Sequence, residues 1–115
     1  MTHSEGSFAD LPVEEPYPGL HRRTVDSAGA TVNEYTFAPE AAFPLHRHPQ
    51  EQITLVLEGS IELTVASERS ALEAGGWSIV GGDVEHSIRA GAEGARILAI
   101  VVPRREGPES YTVLG

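Results

Sequence analysis

Glycine and proline interrupt this sequence so often that no long helix fits anywhere in it. Twelve glycines and eight prolines are spread through 115 residues, and each weakens a helix or marks a turn. Between them lie short runs rich in Val, Ile, Thr, Tyr and Phe, at 20–26, 30–38, 51–57, 61–65, 70–72, 77–80, 86–89 and 95–102. No apolar stripe of helical period extends over three turns, and there is no internal repeat. Evenly spaced short strands predict an all-β fold of two antiparallel sheets, a sandwich or barrel. Residues 1–19 carry Pro12, Pro16, Pro18 and Gly19 with few apolar anchors and predict an extended N-terminal arm; residues 20–115 form the β-domain. Pro39 and Pro44 are expected to bracket a loop. Glu58-Gly59-Ser60 predicts a tight hairpin, with Gly59 supplying a positive φ.

Charge and composition remove several functions. Eight Lys+Arg against seventeen Asp+Glu give a formal charge of −9, the wrong sign for nucleic acid or an anionic membrane as main partner. With no cysteine there is no disulfide, thiol nucleophile or Cys-ligated zinc, which suits a reducing cytoplasm. The longest apolar runs, such as Ile97–Val102, are far shorter than a membrane span. The start MTHSEGSFADLP has neither a basic segment nor an apolar run, so no signal peptide is expected. Residues 51–57 and 95–102 are apolar on both faces, through Ile53, Leu55, Leu57, Ile97, Leu98 and Ile100. One barrel interior covers only one face of each, so a homodimer is expected.

The chemistry lies in the histidines. His46 and His48 are two apart, so on an extended strand both imidazoles leave the same face. Gln52 keeps that parity, although Pro49 is expected to break the strand between them, and His86 follows the Gly81-Gly82-Asp83 turn. Three imidazoles and one amide oxygen suit one divalent ion, with positions left open for water or substrate. Glu51 is one residue early and is expected to face the other way. His3, in the arm, and His21, beside Arg22 and Arg23, have no such company.

Residues 44–59, Pro44-Leu-His46-Arg-His48-Pro49-Gln-Glu51-Gln52-Ile-Thr-Leu-Val-Leu-Glu58-Gly59, resemble the first motif of the cupin superfamily: HxH, three or four residues, a carboxylate, six residues, Gly. Gly76-Trp-Ser-Ile-Val-Gly81-Gly82-Asp83-Val84-Glu85-His86 resembles the second motif, with glycines where prolines usually stand. The resemblance spans roughly residues 35–103. It implies a cupin (jelly-roll) β-barrel with a metal site in its mouth, formed by His46, His48, Gln52 and His86 around one divalent ion (Zn, Ni, Fe, Mn or Co). Gln52 replaces the usual carboxylate, so the ion would keep its full charge and act as a stronger Lewis acid towards an anion. The glycines at 81–82 are expected to loosen the turn before His86.

Among cupins, HxHPxxQ with one short barrel is similar to the small cupins of pectin and alginate breakdown, which linearise 4,5-unsaturated uronates. That similarity implies a small carboxylate-bearing ligand at the metal, with Arg105 as its anionic clamp. Those proteins tend to carry Asp and Phe on the last strand, where this chain has Ala99 and Val101. Other small metal cupins, a polyketide cyclase or a dioxygenase, and a non-catalytic small-molecule-binding module are the alternatives. No catalytic residue stands out beyond Tyr35, readable as pocket phenol or core ring, and Arg105, readable as clamp or solvated tail along with Arg104. Thr54 and Val56 share the parity of Gln52 and belong to pocket or core; Phe37, Phe43 and Trp77 are read as core.

Overall fold

A computed structural model of the chain describes residues 3–114 and shows an all-β, entirely antiparallel fold. After a 3-10 turn at Phe8–Asp10 come strands β1 (Glu14–Tyr17), β2 (Leu20–Asp26), β3 (Thr31–Phe37), β4 (Ala42–Arg47), β5 (Glu51–Val65), β6 (Glu68–Glu73), β7 (Trp77–Val80), β8 (His86–Val102) and β9 (Thr112–Val113). Part of the N-terminal segment is thus strand: β1 pairs with β2, Glu14 opposite Arg22. Among the described residues no helix is long and apolar enough to cross a membrane.

Two sheets are built around β5 and β8, which run through both. One sheet takes the N-terminal half of β5 and the C-terminal half of β8, flanked by β7 on one side and by β3, β2 and β1 on the other. The other takes the remaining halves, flanked by β6 and by β4 and β9. The residues at 58–60 are therefore not the hairpin turn the sequence suggested. Gly59 has its positive φ of 71°, but it sits at register shifts inside one continuous strand. Tight-turn chemistry and bulge chemistry are the same at a glycine, and here the chain bends from one sheet into the other. Likewise 86–89 and 95–102 are two halves of one strand.

The loop expected between Pro39 and Pro44 is a short turn at Pro39-Glu40, and strand β4 begins at Ala42 and runs through Pro44. Pro44 lies where the β4–β8 register shifts, between Phe43 and His46, so its missing N–H breaks no regular ladder. Alternation places Leu20, Phe37, Phe43, Val56, Ile61, Leu63, Ile88 and Ile97 in the core. Trp77 is not core: it pairs with Leu55 on the outer face and is 65 % exposed. Since Thr54 and Val56 are buried inward, Leu55 and its partner must point out.

The bend requires glycine on both strands. A Cβ on Gly59 would fall 2.1 Å from the Gly94 carbonyl oxygen, and one on Gly94, at φ 76°, would fall 2.5 Å from the Phe37 carbonyl oxygen. Gly59→Ala and Gly94→Ala should each destabilise the fold by at least about 2 kcal/mol in chemical denaturation, through clash and positive-φ strain. Gly29→Ala, where nothing lies within 4 Å, should stay within about 0.5 kcal/mol.

Candidate metal centre

The bend closes the β5–β8 ribbon so that its far ends meet. Gln52 lies near one end of the ladder, opposite Val101, and His86 at the other, opposite Val65. Yet Gln52 Oε1 and His86 Nε2 are 3.3 Å apart. His46 enters from β4 as the cross-strand partner of His86. His48 follows in the short segment leading to β5, with its Nε2 3.1 Å from Gln52 Oε1. All four side chains are buried, and Glu51 is exposed on the other side of its strand. The turn before His86 is fastened rather than loosened by its glycines. Asp83 N–H donates to the His48 carbonyl at 2.7 Å. A Cβ on Gly82 would fall 2.3 Å from the Pro49 carbonyl oxygen, so only glycine permits this approach.

Each imidazole is oriented by a backbone carbonyl. The Nδ1 atoms of His46, His48 and His86 lie 2.8, 3.0 and 2.9 Å from the carbonyl oxygens of Pro44, Gln50 and Val84. A carbonyl only accepts, so each Nδ1 carries the hydrogen and each neutral ring presents a bare Nε2. The amide of Gln52 is oriented too: its nitrogen donates to Thr54 Oγ1 at 3.0 Å, turning the oxygen towards the rings. Three ring nitrogens and one amide oxygen thus converge as acceptors. Among these four groups there is no donor to satisfy them, and a cation is what such a set accepts.

Burial and electrostatics favour the neutral form of His46 and His86. Burial, reinforced by neighbouring His86 and His48, lowers His46 to about 3; His86 is also lowered, chiefly by burial. Neutral imidazole is the ligating form, so His46 and His86 have no proton to displace at neutral pH. Ligand atoms of the three histidines lie within 4.8 Å of one another, close enough to hold one metal ion.

The centre opens into a small cavity of about 40 Å³. Tyr35 lines it and also packs against Phe37 and Phe43, with ring centroids 6.1 and 6.0 Å away; burial raises its phenol above the usual value, so it holds its proton. Arg105 lines the cavity as well. Its N–H donates to Thr31 Oγ1 at 3.0 Å, and its Nε lies 3.5 Å from Asp26 Oδ1. Arg104 is exposed, as are His3 and His21. Thr54 and Val56 point inward as their parity required.

Several lining residues were not singled out in the sequence, among them Arg22, Asn33 and Tyr111. Arg22 and Asn33 stand on the inward parity of β2 and β3, a polar position on a core face that alternation alone could have flagged. Tyr111 comes from the C-terminal segment, where β9 pairs with β4 beside His46. Its ring lies 5.5 Å from His46 and 5.1 Å from Phe43, and its hydroxyl is 3.0 Å from that of Tyr17. The run Tyr111-Thr-Val is β-favouring, which is the only signal the sequence offers for it.

Comparison with known proteins agrees with this fold. No curated protein sequence matches the chain. Among solved structures it is similar to an RmlC-like cupin from Shewanella frigidimarina, at 24% identity and a TM-score of 0.82 over 92% of this chain and 97% of that one. It is similar to KdgF from Halomonas sp., at 21% identity and a TM-score of 0.80 over 89% and 97%. Oxalate decarboxylase from Bacillus subtilis superposes with a TM-score of 0.86 at 22% identity, over 95% of this chain and 31% of that longer one. At these identities the structures establish the fold, while the cupin domain model matches residues 33–101, more than half the sequence. The chain belongs to the cupin family.

Proposed function

We propose that the protein binds one divalent metal ion through His46, His48, Gln52 and His86 and uses it to hold a small carboxylate-bearing molecule, such as an unsaturated sugar acid. The observation that carries this reading is the sign of the cavity. The chain has seventeen acidic residues, yet none is among the residues lining it, whereas Arg22, Arg105, Asn33 and Tyr35 all are. Such a cavity attracts anions despite the net charge around it. A divalent ion would act there as a Lewis acid towards a ligand oxygen, undiminished by any carboxylate ligand. The chain's own residues would orient the ligand, exclude water and hold a proton on Tyr35. The similarity to cupins of pectin and alginate breakdown supports a uronate, and the lack of cysteine suits a cytoplasmic setting. Binding without turnover is the second reading. It is favoured by the buried apolar Ala99 and Val101, which leave that strand without the acid those cupins tend to carry.

Metal analysis of purified variants tests the centre. His48→Ala and His86→Ala should each weaken zinc binding by more than the roughly 10–100-fold typical of outer-shell changes. Gln52→Glu should retain metal, because a carboxylate adds a charged ligand, but should bind an anionic ligand less well as the site charge falls. Glu51→Gln should leave both unchanged. Equal metal loss in the Glu51 and Gln52 variants, or full retention in His86→Ala, would contradict the assignment.

We further propose that the outer face of the first sheet pairs with a second copy of the chain. Ile53 lies between Ile100 and Ile79, and Leu55 between Leu98 and Trp77, in two adjacent apolar rows. Ile79 at the end of one row is 56 % exposed, a large apolar patch for a monomer to leave in water. Sedimentation should show a dimer at micromolar concentration, and Trp77→Arg should shift it to monomer without loss of metal. A monomeric parent protein would contradict the pairing.

A further inference from the structure

Arg22 is a charged side chain on a core position. In β2 the alternation puts Leu20 and Arg22 inward and His21 out, and Arg22 is only 4 % exposed. A guanidinium taken out of water is costly unless its five donors are met. Its Nε–H donates to Glu14 Oε1 at 3.1 Å. Glu14 itself is 42 % exposed on the edge strand β1, so the partner approaches from outside. That leaves the two terminal nitrogens of the fork beside Tyr35, the cross-strand neighbour, at the wall of the metal cavity.

The neighbours are set the same way round. Asn33 Oδ1 accepts from the Thr24 hydroxyl at 2.8 Å, so its amide nitrogen is the end left over for the cavity. Arg105 is held against Asp26, and both guanidiniums act on the Tyr35 phenol. A carboxylate outside the cavity faces the back of each arginine, and the Thr24 hydroxyl, donating to Oδ1, holds the back of Asn33.

We infer that Arg22, with Asn33 beside it, is the residue that docks the ligand's carboxylate, so that the site selects small acids carrying a second oxygen for the metal over neutral molecules of the same shape. This rests on the function proposed above and adds the specificity residue and the recognition rule. A planar guanidinium fork fits a carboxylate with two parallel hydrogen bonds, and a neutral analogue would leave the fork unmet in a buried site.

Calorimetric titration of zinc-loaded protein with D-galacturonate, oxalate and D-galactose tests it, with zinc content and thermal stability measured on every variant. Arg22→Gln should keep its zinc, bind both acids at least about tenfold more weakly and leave D-galactose binding unchanged. Arg22→Lys, which keeps the charge but not the fork, should also bind the acids more weakly and serves if the glutamine variant fails to fold. Glu14→Gln removes the same ion pair from the other side and should lose stability without losing acid affinity. Unchanged acid binding in the Arg22 variants, or equal loss in Glu14→Gln and Arg22→Gln, would overturn the inference and leave the proposed function standing. Parent protein that holds zinc and binds neither acid would overturn both.

Discussion

The antiparallel ladder between β5 and β8 is the constraint on which the rest of the molecule depends. It runs from Glu51 opposite Val102 to Val65 opposite His86 and belongs to both sheets. Straight, it would hold Gln52 and His86 at opposite ends of a long ribbon. Bent where Gly59 and Gly94 meet, it returns on itself and places them in contact. The core fills the inside of this curl, and the candidate metal centre lies where its ends come together. Fold and site are thus one closure: the glycines permit it, and a cation shared by His46, His48, Gln52 and His86 would fasten it.

The cavity separates charges by sign. Donors and arginines line it, and the carboxylates that neutralise those arginines, Glu14 and Asp26, hold them from behind. The chain is strongly acidic overall while no acidic side chain lines its cavity. Short-range placement decides the local field here, because surface charges beyond about 8–10 Å are largely screened at physiological salt. The same separation leaves the phenols of Tyr35 and Tyr111 as the lining acids, both raised chiefly by burial. No carboxylate is thus among the lining residues to transfer a proton.

The shared face of His46, His48 and Gln52 was legible because side-chain parity on a strand is a local rule, whereas His86 joined them only through the resemblance of residues 44–59 and 76–86 to the two cupin motifs. The sequence also carried the strands around them, whose β-branched and aromatic runs alternate between turns. It did not carry the continuity of β5 and β8. Glu58-Gly59-Ser60 has the chemistry of a hairpin and of a bulge alike, and only pairing with a distant strand decides between them. Pro44 misled in the same way, since a register shift hides a missing N–H. Trp77 went to the surface because its parity is fixed by Leu55 across the ladder, against the usual preference of a large aromatic ring for the interior. Arg22 was masked by its neighbours His21 and Arg23, which make it look like part of a solvated basic patch. Tyr111 reaches the site through a C-terminal segment whose pairing with β4 has no local signature.

The account stands on four acceptors converging with no donor among them. The most direct test is long-range nitrogen–proton NMR of the histidine rings in metal-free protein at neutral pH, followed by addition of zinc. His46, His48 and His86 should all show the Nδ1–H tautomer with unprotonated Nε2, and all three Nε2 resonances should move together at one equivalent of zinc. Nε2–H tautomers, or zinc shifting only one or two of the rings, would contradict it.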